Sequence, residues 1–243
     1  MNEEDRIGDC LASLDFCDEV VVVDSHSSDR TRAIAAASGA RVLERDWPGF
    51  GAQKEFAVRA AEHDWVLCLD ADERVSPELR AQILALQGAG FPGFAGWRVP
   101  RLSQYLGRWI RHGLWYPNLQ MRLYDRRRGR WNDDEPHARV DLEGAVGRLA
   151  GDLLHLPYRG FSDHLQTIDR YTDTMARVAF ERGRRARLWH LTLNPAAHFL
   201  RHYFLKVGFL DGWRGLVLAL VGAQYVQLKY VKLLILQRGG SGG

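Results

Sequence analysis

The first ninety positions alternate apolar runs of two different periods. Glu19-Val20-Val21-Val22-Val23-Asp24 is a β-branched run ending in an acid, the pattern of a buried strand. Ser28 to Ser38 follows helical spacing and stops at Gly39, a residue type suited to the position just past a helix C-terminus. Arg41-Val42-Leu43 predicts a short strand, and Gln53 to Glu62 a helix with Phe56, Ala57, Ala60 and Ala61 on one side. Trp65-Val66-Leu67-Cys68-Leu69-Asp70 predicts another buried strand. Ser76 caps the helix after it, Pro77 suits its first turn, and Leu79, Ile83 and Leu86 form its apolar stripe. Strand and helix alternating at this spacing imply parallel strands joined by crossovers, hence an α/β sandwich.

Beyond this region the pattern changes. Gly96 to Asp141 predicts shorter strands and loops rich in Arg, Trp and Tyr, with a strand over Asn118–Asp125. Asp163 to Phe180 carries Leu165, Ile168, Tyr171, Thr172, Met175 and Phe180 at helical spacing. From Ala197 to Leu236 the chain is rich in Phe, Tyr, Leu and Trp, with Arg201, Lys206, Arg214, Lys229 and Lys232 between them. That composition suits two helices on a membrane surface, and equally core helices packed back on the domain. No apolar run reaches the roughly 18 residues of a membrane span. The longest, Leu216 to Val226, is interrupted by Gly222 and Gln224. These shifts divide the chain into a domain over 1–158, a helical extension over 159–238 and a flexible glycine-rich tail over 239–243.

Composition narrows the classes. With 46% hydrophobic and 26% charged residues the chain of 243 is a folded one. A net charge of +3 selects no partner. Basic residues nevertheless concentrate between Arg98 and Arg130, where nine arginines meet a single acid, Asp125. Such a run attracts phosphates or is a solvated face. Cys10, Cys17 and Cys68 form no CxxC, which suits a reducing cytosol without a zinc site or disulfide framework. Met1 to Asp5 is acidic and polar, unlike a signal peptide, so a cytoplasmic location is expected.

Candidate chemistry begins with Asp70-Ala71-Asp72. Two carboxylates one residue apart beyond a buried strand can present oxygens to one hard cation, and magnesium or manganese binds through one or two carboxylates plus substrate phosphates. Ligands of open α/β sheets gather beyond the carboxyl ends of strands, where Asp24 also lies. The following Ser25-His26-Ser27-Ser28-Asp29-Arg30-Thr31 can bind ribose hydroxyls or a base edge, and Ser28 or Asp29 can cap the next helix. Other readings fail. Gly49-Phe50-Gly51-Ala52-Gln53-Lys54 lacks a third glycine and follows Trp47-Pro48 instead of a strand, unlike a dinucleotide loop. Neither a G-x-x-x-x-G-K-[ST] loop nor a G-x-S-x-G elbow occurs.

Asn2-Glu3-Glu4, Val20 to Thr31, Gly49 to Lys54 with Phe56 and Ala57, and Trp65 to Glu73 together resemble family 2 glycosyltransferases. More narrowly they resemble the lipopolysaccharide-core β-1,4-glucosyltransferase-like branch, and the likeness continues through Met121-Arg122-Leu123-Tyr124, Pro136 to Val140 and Leu154-His155-Leu156-Pro157-Tyr158. The resemblance implies a GT-A fold, a Rossmann-like α/β sandwich. Family members begin with a strand ending near Asn-Glu-Glu, whereas this sequence starts at Met1-Asn2, so a sandwich lacking its first strand is expected.

The resemblance also implies inverting transfer of a hexose, glucose foremost, from a nucleotide sugar such as a UDP-sugar. Asn2 and Glu3 would lie near the nucleotide, and Asp24, with Ser25, would contact uridine. Gln53 and Lys54 would line the donor side, and Asp70 and Asp72 would serve the diphosphate and a Mg2+ or Mn2+ ion. Inversion needs a carboxylate to take the acceptor hydroxyl's proton. This branch commonly has an acid directly after the histidine of the Asp133-Asp134-Glu135-Pro136-His137 segment, and here Ala138 stands there, which leaves Glu135 first and Asp134 second as the base. His137 and Arg122 are phosphate or acceptor contacts in this reading, and His155 a structural histidine.

The arginine run and the aromatic C-terminal helices add an expectation of a glycolipid acceptor and an anionic membrane, with the protein peripheral on the cytoplasmic face of the inner membrane. Two rivals stand beside it: a catalytically impaired relative that binds nucleotide sugars or membranes, and a nucleic-acid binder using Arg98–Arg130 with Trp109, Trp115 and Tyr116 as stacking groups. No nucleic-acid module is recognisable, and no nucleic-acid partner is expected.

Overall fold

The valine run folds as a strand because β-branched side chains pack well on a pleated surface. In the computed structural model, which describes residues 1–134 and 138–239, it is one of eleven strands. The elements run α1 (Ile7–Ala12), β1 (Val21–Asp24), α2 (Thr31–Ala37), β2 (Arg41–Glu44), α3 (Phe50–Ala60), β3 (Trp65–Leu67), β4 (Glu73–Val75), α4 (Pro77–Gly88), β5 (Gly96–Tyr105), β6 (Arg108–Trp109), β7 (Asn118–Asp125), β8 (Gly129–Trp131), β9 (Val140–Leu142), β10 (Val146–Arg148), β11 (Leu153–His155), α5 (Phe161–Glu181), α6 (Leu193–Leu200) and α7 (Trp213–Gly239). Short helical turns span Leu188–Leu191, Arg201–Leu205 and Gly208–Asp211. Met1–Leu102 with Asn118–His155 forms one compact unit, and Ser103–Pro117 with Leu156–Gly243 a second.

In the first unit β1 and β2 pair in parallel, Val21 opposite Arg41, with α2 as the crossover. Gly39 takes φ 81° just past that helix, the left-handed turn its position required. Ser76 Oγ accepts the Leu79 N–H at 3.2 Å and caps α4, as its sequence position predicts. Apart from β10, which pairs with β5 in parallel, the other strands depart from the parallel expectation. A sheet of order β3-β7-β5-β11-β4 is largely antiparallel, with Trp65 opposite Asp125 and Leu153 opposite Val75. Local alternation cannot reveal that β3 pairs with a strand some fifty residues later. The core of this sheet gathers Val75, Leu79, Ile83, Trp97, Val99, Leu123 and Leu153. A second cluster of Val58, Val66, Tyr124, Trp131 and Val140 lies under α3.

In the second unit α5 buries His164, Ile168, Thr172 and Ala176. The expected stripe contained Leu165 and Tyr171, and both are exposed. Ile168 and Thr172 of that set are buried as expected, and His164 joins them with its Nδ1 3.0 Å from the buried Tyr105 hydroxyl, an anchor that hydrophobic spacing does not count. The helix α7 has 27 residues with mean hydropathy 1.2 in its most apolar window, long and apolar enough to cross a membrane. Sequence runs understate it because Gly222 and Gln224 do not interrupt the helix. It packs on its own unit through Leu218, Ala219 and Leu233, and Lys232 Nζ pairs with Asp169 at 2.7 Å and Asp173 at 2.9 Å on α5.

Candidate functional site

The end of β1 is a tightly bonded turn. Asp24 is buried, and its Oδ2 accepts the Ser27 N–H at 2.7 Å while Oδ1 accepts the Ser27 hydroxyl. The N-terminal segment is tied to the same turn. Asn2 N–H donates to Ser27 Oγ at 2.9 Å, Asn2 Oδ1 accepts the Ser28 N–H at 2.9 Å, and Glu3 N–H donates to Thr31 Oγ1 at 2.8 Å. Asp29 Oδ1 accepts the Thr31 N–H at 3.0 Å, while the N-cap position of α2 itself falls on Arg30 and neither Ser28 nor Asp29 occupies it. The structure thus brings Asn2, Glu3, Asp24 and Ser25 to one strand end.

Beyond β3 the chain turns through Asp70–Glu73, closed by the Glu73 N–H donating to the Asp70 carbonyl at 2.9 Å. The strand predicted to reach Asp70 ends at Leu67, just before this turn. Gln53 and Lys54, neighbours on α3, reach the two strand ends separately. Gln53 Nε2 donates to Ser25 Oγ at 3.0 Å, and Lys54 Nζ lies 2.7 Å from Asp70 Oδ1. The Lys54 ammonium also sits over the Trp131 ring, 4.8 Å from its centre. Gly51 makes the approach possible, since a Cβ there would stand 1.9 Å from the Asn132 carbonyl oxygen. Gly51 therefore serves helix packing at this point, and Gly49 precedes the helix at φ 122°.

Asp70 carries a second cation. Arg122 Nη2 lies 2.9 Å from Asp70 Oδ2 and 2.6 Å from Glu73 Oε1. Arg122 is 2% exposed and Glu73 0%, and Glu73 Oε2 accepts the Asp70 N–H at 3.0 Å. Arg101 adds a contact to Glu73 at 3.3 Å. Burial opposes the charge on Asp70, but Arg122 and Lys54 overcome it and hold its carboxyl well below the usual carboxylate range. Burial likewise opposes the charge on Arg122, and Glu73 and Asp70 restore it. Arg122 is thus a buried link between two acids, with its Nη2 in contact with both. Cys10, whose thiol lies 3.7 Å from the Asp70 carbonyl, is pushed up to about 12 by burial and the nearby acids, and is inert as a nucleophile.

Asp72 faces a different partner: its Oδ2 lies 3.4 Å from His155 Nε2. The pairing of β11 with β4 sets His155 opposite Glu73 and so delivers the imidazole. The sequence pattern marks His155 as a structural histidine within the Leu154 to Tyr158 motif, and its contact with Asp72 depends on this strand pairing. Glu73 was visible too, directly after Asp72, yet its buried partners lie far along the chain. Asp134 is half-exposed, with Arg139 Nη1 at 4.0 Å from its carboxylate. Glu135, His137 and the tail residues 240–243 lie outside the described residues.

The arginine run is not one patch. Arg122 is buried, Arg126 donates to the Val58 and Glu62 carbonyls at 3.1 Å, and Arg127 pairs with Asp125 at 2.7 Å and Asp64 at 2.9 Å. Arg108 and Arg111 belong to the second unit. That unit holds a cavity of about 130 Å³ lined in part by Gln104, Tyr105, Tyr158 and Arg159, with Tyr158 stacked on His164 at 4.2 Å.

Comparison with known proteins follows the same lines. The family model for glycosyl transferase family 2 matches residues 1–141, more than half of the chain. The lipopolysaccharide core biosynthesis glycosyltransferase LpsC of Rhizobium meliloti is 32% identical over 96% of this chain and 88% of its own length. An uncharacterized glycosyltransferase of Rickettsia typhi is 28% identical over 96% of this chain and 83% of its own. Among solved structures, the mannosyltransferase PcManGT from Pyrobaculum calidifontis superposes with a TM-score of 0.52 at 16% identity, over 96% of this chain and 84% of that one, and so shares the fold. The α/β architecture, the clasped turns after β1 and β3 and these matches agree: the chain belongs to glycosyltransferase family 2 and has the GT-A fold.

Proposed function

We propose that the protein transfers a hexose, glucose foremost, with inversion from a UDP-sugar to a lipopolysaccharide-core or related glycolipid acceptor, and that it works at the cytoplasmic face of the inner membrane. The observation that carries the donor side is the clasp of α3: adjacent residues Gln53 and Lys54 hold Ser25 at one strand end and Asp70 at the other. The similarity to LpsC supports the acceptor class.

In this reading Asn2, Glu3, Asp24, Ser25 and Gln53 form the nucleotide side. Lys54, supported by the Asp70 carboxylate and the Trp131 ring, faces the diphosphate. The residues present fit a divalent cation, Mg2+ or Mn2+. Asp70 and Asp72 offer hard oxygen ligands on one turn, and no three His, Cys, Asp or Glu side chains cluster as a complete metal cage among the described residues. Asp70 and Asp72 would hold the cation and would leave room for phosphate oxygens and water, which magnesium usually keeps at a phosphate site. When bound, it offsets the charge of the departing diphosphate. The PcManGT structure was solved with GDP-Man and Mn2+, ligands of the same chemical kind.

The chain's own residues supply the rest. The acceptor hydroxyl oxygen attacks the anomeric carbon as the bond to the diphosphate oxygen breaks, and the diphosphate leaves with the bonding pair. The proton of that hydroxyl passes to a carboxylate, for which Glu135 and then Asp134 are proposed. His137 would contact phosphate or acceptor.

The test is release of nucleoside diphosphate from UDP- and GDP-sugars by the full chain, with Mn2+ or Mg2+ and a lipopolysaccharide-core acceptor. Cation-dependent, acceptor-stimulated release from UDP-glucose is the expected result. No release from any donor, with folding verified, overturns the reading in favour of an impaired relative.

A further inference from the structure

Large apolar side chains on the surface are not scattered evenly. Among the described residues, 12 of the 23 exposed large hydrophobics fall within residues 182–220 of the second unit. Leu205 is 79% exposed, and Leu193, Leu200, Phe204, Phe209 and Trp213 stand out beside it. A concentration of this kind marks an interaction surface, whereas single exposed hydrophobics need no explanation.

Charge in the same segment has one sign. Residues 182–220 contain Arg182, Arg184, Arg185, Arg187, Arg201, Lys206 and Arg214 against a single acid, Asp211. That acid is withdrawn from the surface: Asp211 is buried and accepts the His112 backbone N–H at 2.9 Å, with His112 Nδ1 at 3.1 Å. The exposed side chains of this segment are therefore mainly apolar or cationic.

The backbone that displays them is firmly built. Lys206 N–H donates to the Arg201 carbonyl, Leu210 N–H to Val207 and Gly212 N–H to Phe209, all at about 3 Å. Val207 takes φ 49°, the left-handed conformation, to turn the chain between Leu205 and Phe209. The start of α7 closes on this turn at Gly215, where a Cβ would lie 1.9 Å from the Gly208 carbonyl oxygen. A turn whose N–H groups are internally satisfied can enter an apolar phase without the cost of bare backbone donors.

We infer that residues 182–220 form an in-plane docking surface for an anionic lipid bilayer. Leu205, Phe209 and their neighbours enter the acyl boundary, and the arginines and Lys206 lie at the headgroups. A second copy of the chain fits less well, because self-association would press two cationic faces together. The inference gives the membrane part of the proposed function a location, and its test does not depend on turnover.

The experiment is vesicle flotation of the full chain with phosphatidylglycerol-containing vesicles and with pure phosphatidylcholine vesicles, at low and high salt. The wild type floats with the anionic vesicles and less with the neutral ones, and salt weakens the association. Leu205→Glu with Phe209→Glu lowers partition by about tenfold or more, while circular dichroism and the thermal midpoint stay at wild-type values. Leu84→Glu, an exposed apolar position in the first unit, leaves flotation unchanged. Where the double variant is unfolded, Arg184→Glu with Arg185→Glu serves instead and is expected to abolish the anionic preference. The inference is overturned by a wild type that stays soluble with anionic vesicles, by folded variants that float as the wild type does, or by a wild-type dimer that the double variant turns into a monomer.

Discussion

Lys54 Nζ lies 2.7 Å from Asp70 Oδ1 while Arg122 Nη2 lies 2.9 Å from Oδ2, so both oxygens of this carboxylate already carry a cation. A divalent ion at the Asp70–Asp72 turn has to share Asp70 with Lys54 or displace it. In this account Asp72, whose contact is an imidazole at 3.4 Å, is the freer ligand.

Lys54→Met removes the competing ammonium. Mn2+ affinity without nucleotide should rise about three- to tenfold, the scale of a partly exposed ion pair. Turnover of UDP-glucose should fall, because the diphosphate loses a cation. Manganese titration followed by electron paramagnetic resonance, set beside kcat/KM, checks both directions.

Arg122→Met leaves Glu73 buried without its 2.6 Å partner. Removing one member of a buried charge network costs roughly 3–5 kcal/mol. Urea unfolding should show a loss of that size. Arg122→Lys keeps the charge but not the planar fork that reaches two acids, and should recover only part of it.

The packing of α3 gives a backbone prediction. Gly51→Ala puts a methyl where the Asn132 carbonyl stands, and the helix has to retreat. The expected cost is about 1–3 kcal/mol, the range for overpacking. UDP affinity should weaken with it, since Gln53 and Lys54 ride on the same turn; calorimetry of UDP with Mn2+ reads the second effect.

Much of this site was legible in the chain because it is local. Asp24, Ser25, Asp70 and Asp72 sit in short motifs at the ends of apolar runs, Gln53 and Lys54 follow from the family resemblance alone, and the structure gathers them into two clasped strand ends. What escaped depends on pairing between distant segments. Arg122 reaches Glu73 because β7 lies against β3 and the Cys68 N–H donates to the Arg122 carbonyl at 2.8 Å. His155 reaches Asp72 through the pairing of β11 with β4. No periodicity within either segment encodes those registers. The burial of His164 on α5 escaped for a similar reason, because it goes with a contact to the distant Tyr105 hydroxyl.

Two buried histidines of the second unit predict a pH dependence. Burial pushes His164 down to about 4, and burial with the neighbouring His198 does the same to His202. Both rings are neutral in the fold at pH 7, while the unfolded chain takes up protons as pH falls through about 6.5. A depressed folded value means that stability is fully present above that point and is lost as pH falls from about 6.5 towards 4. The loss is at most about 3 kcal/mol per ring. Urea midpoints at pH 7 and pH 5 should differ, and His202→Gln should flatten the slope.

The central claim is that Asp72 supports a cation on the donor diphosphate. Its most direct measurement is Mn2+-dependent turnover of UDP-glucose by Asp72→Asn, a change that keeps the shape of the turn. Turnover should fall roughly a hundredfold, with weakened Mn2+ binding and an unchanged unfolding midpoint. Wild-type turnover and manganese affinity in that variant would contradict it.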